Sequence, residues 1–153
     1  MANTYTQLYI HLVFAVKYRA AALDKSWRHE LFQYMIGLFE NRGQMVYAIG
    51  GMYDHVHVLV SISPKQSISE LVQEIKRATT LWIKEKGYVR TRFSWQDGFG
   101  AFSYGRSQID SVVKYIQNQE IHHSKRSFRD EYIAFLENFG IKYDNKYIFK
   151  EIE

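Results

Sequence analysis

Two stretches of helical periodicity, set among runs rich in β-branched and aromatic residues, constrain this chain more than any other feature. Residues 26–42 carry Leu31, Phe32, Met35, Leu38 and Phe39 at spacings of three and four. Ser26 is placed to cap that helix and Gly43 to stop it. Ser67 opens the second stretch with Glu70 three residues on, the pattern of a capping box. Ile68, Leu71, Val72, Ile75, Ala78, Thr79, Trp82 and Ile83 then form one apolar stripe, and Gly87 ends it. Residues 7–16 (QLYIHLVFAV) read as a central strand, 44–51 as a second and 55–61 (HVHVLVS) as a third, with Tyr53 and Asp54 near the turn between the last two. Residues 91–105 hold short strand or loop segments. Ser107 caps a further helix running to about His123, and a last one covers about 128–138.

The order strand, helix, strand, strand, helix, strand predicts an α+β fold, a ferredoxin-like βαββαβ sandwich with an added C-terminal helix. A length of 153 residues predicts one domain, 1–153, with a core at about 5–140 and a tail at 141–153. Such a sheet hosts many functions, so the site must decide the activity.

Composition narrows the chemistry. The chain has no cysteine, which excludes disulfides, thiolate metal sites and cysteine catalysis. Twenty Lys and Arg against sixteen acidic residues suit a phosphate-bearing partner, although surface charge of this size needs none. The N-terminal apolar run lacks a basic leader and is too short and interrupted to span a bilayer, so a cytoplasmic protein with no membrane partner is expected.

His55-Val56-His57 is the sharpest local motif. Residues two apart on a strand point the same way, so both imidazoles face one side while Val56, Val58 and Val60 face the core. Two adjacent imidazoles begin a metal site and need a third ligand from elsewhere; two histidines on a solvated face is the alternative. Asp54 either orients a ligand imidazole or serves the turn. On the helix from Ser107, Ile109, Val112, Val113 and Ile116 make the apolar face, and Tyr115 lies about a quarter turn off its centre. Gln119, four residues on, stacks on the same side and offers an amide oxygen that would hold a cation beside the phenol. Tyr115 is then either a boundary tyrosine or a nucleophile, whose target needs a Lewis acid because a phenol titrates near 10.

Taken together, these residues resemble the single-tyrosine HUH transposases of the IS200-like insertion-sequence family. The resemblance is carried by His11-Leu12-Val13-Phe14 through Lys17-Tyr18-Arg19, by Tyr53 through Val60, by Trp95 through Ser103, and by Tyr115-Ile116-Gln117-Asn118-Gln119. It implies cleavage and rejoining of single-stranded DNA at element ends, with Tyr115 as catalytic nucleophile forming a covalent 5′-phosphotyrosine. It implies a Mg²⁺ or Mn²⁺ ion on His55, His57 and Gln119, although imidazole ligands also suit Zn²⁺ or Ni²⁺. It further implies recognition of DNA hairpin ends and a homodimer whose active sites are completed in trans. Lys17, Arg19, Lys76, Arg77 and Lys84 are candidate phosphate contacts, and Tyr18, Trp95, Phe99 and Phe102 candidate stacking residues. Two other readings stand beside this one. The first is a domesticated, repeat-associated tyrosine transposase. The second is a non-catalytic ferredoxin-like nucleic-acid-binding module, suggested by Asp97 through Phe102, which faintly resembles the aromatic strand motif of RRM domains.

Overall fold

A computed structural model of the chain describes residues 3–123 and 125–153. Its strands are β1 (Tyr9–Ala15), β2 (Met45–Met52), β3 (His55–Ser61) and β4 (Gly100–Tyr104). Its α-helices are α1 (Lys25–Asn41), α2 (Ile68–Lys86), α3 (Ile109–Gln117), α4 (Gln119–His123) and α5 (Phe128–Asn138). The strands form one sheet in the order β2-β3-β1-β4, and every neighbouring pair is antiparallel. This is the expected α+β, ferredoxin-like arrangement.

The central strands β1 and β3 are buried along nearly their whole length because both faces of the sheet are covered. On one face Leu12, Phe14, Val56, Val58 and Val60 join the main core with Leu31, Phe39, Leu71 and Ile75 of α1 and α2. Directly paired residues share a face, so the register Val13↔His57 and His11↔Leu59 puts His11, Val13, His57 and Leu59 on the other. There α3 buries Val112 and Ile116 against Ala48 and Leu59. Helix α5 adds Phe135, whose ring is 5.2 Å from that of His11. Close packing of α3 on β2 depends on Gly50, where an added Cβ would stand 2.3 Å from the carbonyl oxygen of Ile116.

Local signals were met with three adjustments. Helix α1 is capped by Asp24, whose Oδ1 accepts from the Ser26 backbone at 2.9 Å, so Ser26 lies inside the first turn. Ser67 caps α2 as expected, and Gly87 closes it in the left-handed conformation. The helix expected from Ser107 to His123 is broken. A 3-10 turn spans Arg106–Gln108, and α3 ends before Asn118, whose N–H donates to both Lys114 O (3.1 Å) and Tyr115 O (3.3 Å). That shared donor tightens the last turn, and a new short helix starts at Gln119. Beyond α5 the chain has no regular structure, yet Phe149 and Ile152 are buried in the main core. Among the described residues no helix is long and apolar enough to cross a membrane.

Candidate active site

The histidine pair is not solvated. His55 and His57 are both fully buried, because β3 is central and the C-terminal helices cover the face they point to. Asp54 serves both of its candidate uses. It sits in the β2–β3 turn, and its Oδ1 lies 2.7 Å from His55 Nδ1. A carboxylate there fixes the ring proton on Nδ1 and leaves Nε2 as a free lone pair. That Nε2 faces Gln119 Oε1 at 2.9 Å. Lone pair meets lone pair at this contact unless a proton or a cation sits between them, so the donor chemistry fits a metal ion. Gln119 is held there despite the helix break: it is 2 % exposed, and its amide donates back to Tyr115 O.

Tyr115 is half-buried and comes to the same cluster within one chain. Its ring centroid is 6.0 Å from that of His57, and His122 stacks on it at 4.5 Å. Tyr115 reaches the cluster because α3 lies on the sheet that carries the histidines, with the Ile116 carbonyl seated over Gly50. The phenol borders a cleft of about 420 Å³ lined also by Tyr104, Gln108, Ser111 and Arg126.

The Tyr115 hydroxyl donates to Glu131 Oε2 of α5. Glu131 is fully buried, with Oε1 2.9 Å from His57 Nε2 and 3.8 Å from His55 Nε2, and Oε2 3.1 Å from His123 Nε2. Sequence reasoning missed this residue. A signal existed: Phe128, Glu131, Tyr132, Phe135 and Leu136 follow the helical 3–4 spacing, which puts a carboxylate on an apolar stripe. His11 was missed as well; its Nε2 lies 2.7 Å from His57 Nδ1. His55, His57, His123 and Glu131 offer donor atoms that all lie within 4.8 Å of one another, a cluster able to hold a metal ion.

The electrostatics are those of a buried, tightly coupled group. Burial pushes the Tyr115 phenol well up, and the adjacent Glu131 charge pushes it further. Burial also works to raise Glu131, but hydrogen bonds from His123 and His57 outweigh it and keep the carboxyl well below its usual range. His57 is lowered by burial against the pull of Glu131, and His11 is lowered by burial and by His57.

The candidate DNA contacts are dispersed. Lys17, Arg19, Arg77 and Lys84 are exposed, Arg77 being paired with Glu74 at 2.9 Å. Lys17 lies 5.3 Å from the half-buried ring of Tyr18. Lys76 is committed elsewhere: its ammonium donates to Gln96 O and Gly98 O. Trp95 and Phe102 are core residues, and Phe99 packs partly buried against the core. The indole of Trp95 donates to Thr79 Oγ1, because the apolar segment before β4 folds inward beside β1.

Residues 4–119 match the family model described as "Transposase IS200 like". The match ends at Gln119, so α5 and Glu131 lie beyond it. The transposase of insertion sequence element IS200 from Salmonella typhimurium is 27 % identical over 124 residues, covering 78 % of this chain and 81 % of that protein. The ISDra2 transposase TnpA of Deinococcus radiodurans is 28 % identical over 120 residues, covering 74 % and 84 %. In fold the chain is similar to a crystal structure from Deinococcus radiodurans assigned as a transposase (TM-score 0.62, 21 % identity, 78 % of this chain and 95 % of the other). It is also similar to a REP-associated tyrosine transposase solved with a REP hairpin (TM-score 0.59, 17 % identity, 80 % and 73 %). The family model spans most of the chain, including both histidines, Tyr115 and Gln119, and the chain belongs to the IS200-like transposase family.

Proposed function

We propose that this transposase cuts and rejoins single-stranded DNA at hairpin-bearing ends through a covalent 5′-phosphotyrosine on Tyr115. The observation that carries the reading is the convergence of Tyr115, His55, His57 and Gln119 on one buried cluster within a single chain. The REP hairpin bound to one structural relative supports a folded single strand as the ligand.

His55, His57 and Gln119 are the residues to hold a divalent cation, Mg²⁺ or Mn²⁺. When bound, such an ion acts as a Lewis acid on the scissile phosphate and offsets the negative charge beside the phenol. Asp54 orients His55 for this role. The phenol oxygen of Tyr115 forms a bond to phosphorus, and the bond from phosphorus to the 3′ oxygen breaks, that oxygen taking a proton from solvent to leave as a 3′-hydroxyl. The phenol proton has a carboxylate in line to receive it, Glu131 Oε2. A 3′-hydroxyl attacking the phosphotyrosine reverses the step. The number of phosphoester bonds stays constant, so rejoining needs no nucleotide hydrolysis. The family resemblance implies a homodimer, and with Tyr115 in cis each subunit of it would carry a complete residue set.

The test uses a 3′-labelled hairpin oligonucleotide with Mn²⁺. The wild type forms a labelled covalent adduct that survives denaturation. Tyr115→Phe binds the hairpin in a gel shift and forms no adduct. An adduct on that variant would remove Tyr115 from the role.

A further inference from the structure

Glu131 sits where the two imidazoles aim. Its Oε1 is 2.9 Å from His57 Nε2 and 3.8 Å from His55 Nε2. Its Oε2 faces the other way, toward the Tyr115 hydroxyl and His123. The carboxylate is fully buried, and among the described residues its ion-pair partners are histidines, with no lysine or arginine at that distance. A buried carboxylate is costly unless positive charge stands beside it, and a cation at the imidazoles would supply that charge.

We propose that Glu131 is a further protein ligand of the cation at His55, His57 and Gln119, binding through Oε1 while Oε2 holds the Tyr115 hydroxyl. Donors about 2.1 Å from a common ion lie about 3 Å apart when adjacent and about 4 Å apart when opposite. The His57–Glu131 and His55–Gln119 separations of 2.9 Å and the His55–Glu131 separation of 3.8 Å fall in that range. His123 Nε2 stands on the Oε2 side at 3.1 Å and completes the cluster whose donor atoms all lie within 4.8 Å of one another. The assignment also bears on which metal is preferred. Two imidazoles favour softer ions, whereas a carboxylate oxygen added to the Gln119 amide oxygen moves the site toward Mg²⁺ and Mn²⁺. One side chain would then tie the nucleophile to the metal, and it comes from a helix outside the family match.

This inference rests on the metal reading proposed above, and one titration separates the two. Mn²⁺ is titrated calorimetrically into the full chain, wild type and Glu131→Gln, without DNA. The expected result is one Mn²⁺ site in the wild type and an affinity at least about tenfold weaker in the variant. A wild type that binds no Mn²⁺ overturns both readings. A wild type that binds, beside a folded Glu131→Gln that binds within threefold of it, overturns this inference alone. If Glu131→Gln does not fold, anomalous scattering from Mn²⁺-soaked wild-type crystals decides: an ion more than about 3 Å from Glu131 Oε1 removes it as a ligand.

Discussion

His11 Nε2 lies 2.7 Å from His57 Nδ1, and both rings are fully buried. For His57 to offer the Nε2 lone pair to a cation, its proton must be on Nδ1, donated to His11. His11 then carries its own proton on Nδ1, an atom with no hydrogen-bond partner. Without a cation, His57 Nε2–H can donate to Glu131 and His11 can donate to His57. Loading the site with a cation would therefore move protons across both rings. His11→Phe, which removes the acceptor, should weaken Mn²⁺ binding by about 10- to 100-fold. His11→Asn, which keeps an acceptor, should lose less. Calorimetry measures both, and equal losses would sink the tautomer argument.

Gly50 is where α3 meets the sheet. A Cβ there would stand 2.3 Å from the Ile116 carbonyl oxygen, a backbone atom with little freedom to yield. Gly50→Ala should cost about 1–3 kcal/mol in chemical denaturation. It should also lower adduct formation more than hairpin binding, because displacing α3 moves Tyr115 and Gln119 together.

Trp95 and the exposed cations should separate cleanly. Trp95→Ala opens the main core and should cost about 3–5 kcal/mol of stability. The paired change Lys17→Ala with Arg19→Ala should leave thermal unfolding nearly unmoved. It should weaken DNA binding and reduce its salt dependence, by about one in log–log slope for each phosphate that is no longer neutralised. Unchanged salt dependence would take both residues out of the DNA interface.

Lys76 predicts a pH effect on stability. Burial lowers its ammonium to about 8, against the opposing pull of Asp97. Between about pH 8 and 10 the unfolded chain keeps the proton that the folded chain has released, so the stabilising contribution grows as pH rises and falls away as pH drops through 8. Wild-type stability should therefore rise relative to Lys76→Met across that window. Below about pH 7 the difference should be constant, set by the two carbonyl hydrogen bonds that Met cannot make against the cost of burying the charge. Denaturation midpoints at a series of pH values read this out.

Mixing tests the cis geometry. Tyr115 and His57 meet within one chain. A mixture of Tyr115→Phe chains with His57→Ala chains should stay inactive in adduct formation, since neither chain holds a complete set. Recovered activity would mean that the tyrosine helix serves the neighbouring subunit.

Much of this architecture was legible because its determinants are local. Period-two alternation put His55 and His57 on one side of β3, and Ser67 and Gly87 bounded α2. The four-residue step from Tyr115 to Gln119 placed both on one side of the chain. That side survived the break at Asn118, whose shared N–H shortens the turn without reversing it. The surroundings of Trp95 and Lys76 were not legible, because an aromatic or a lysine looks the same in a sequence whether it meets DNA, a core or a loop carbonyl.

Sequence alone determined the order of elements, the pairing of the two imidazoles and the tie between Tyr115 and the Gln119 amide, since each is a matter of spacing along one strand or one helix. Tertiary structure decided what covers that face. His57 and Glu131 are 74 residues apart, and no periodicity links them. His11 reaches His57 only through the antiparallel register of β1 on β3. Burial of the histidines follows from the same long-range packing, because a strand pattern states which way a side chain points but not what will be folded over it.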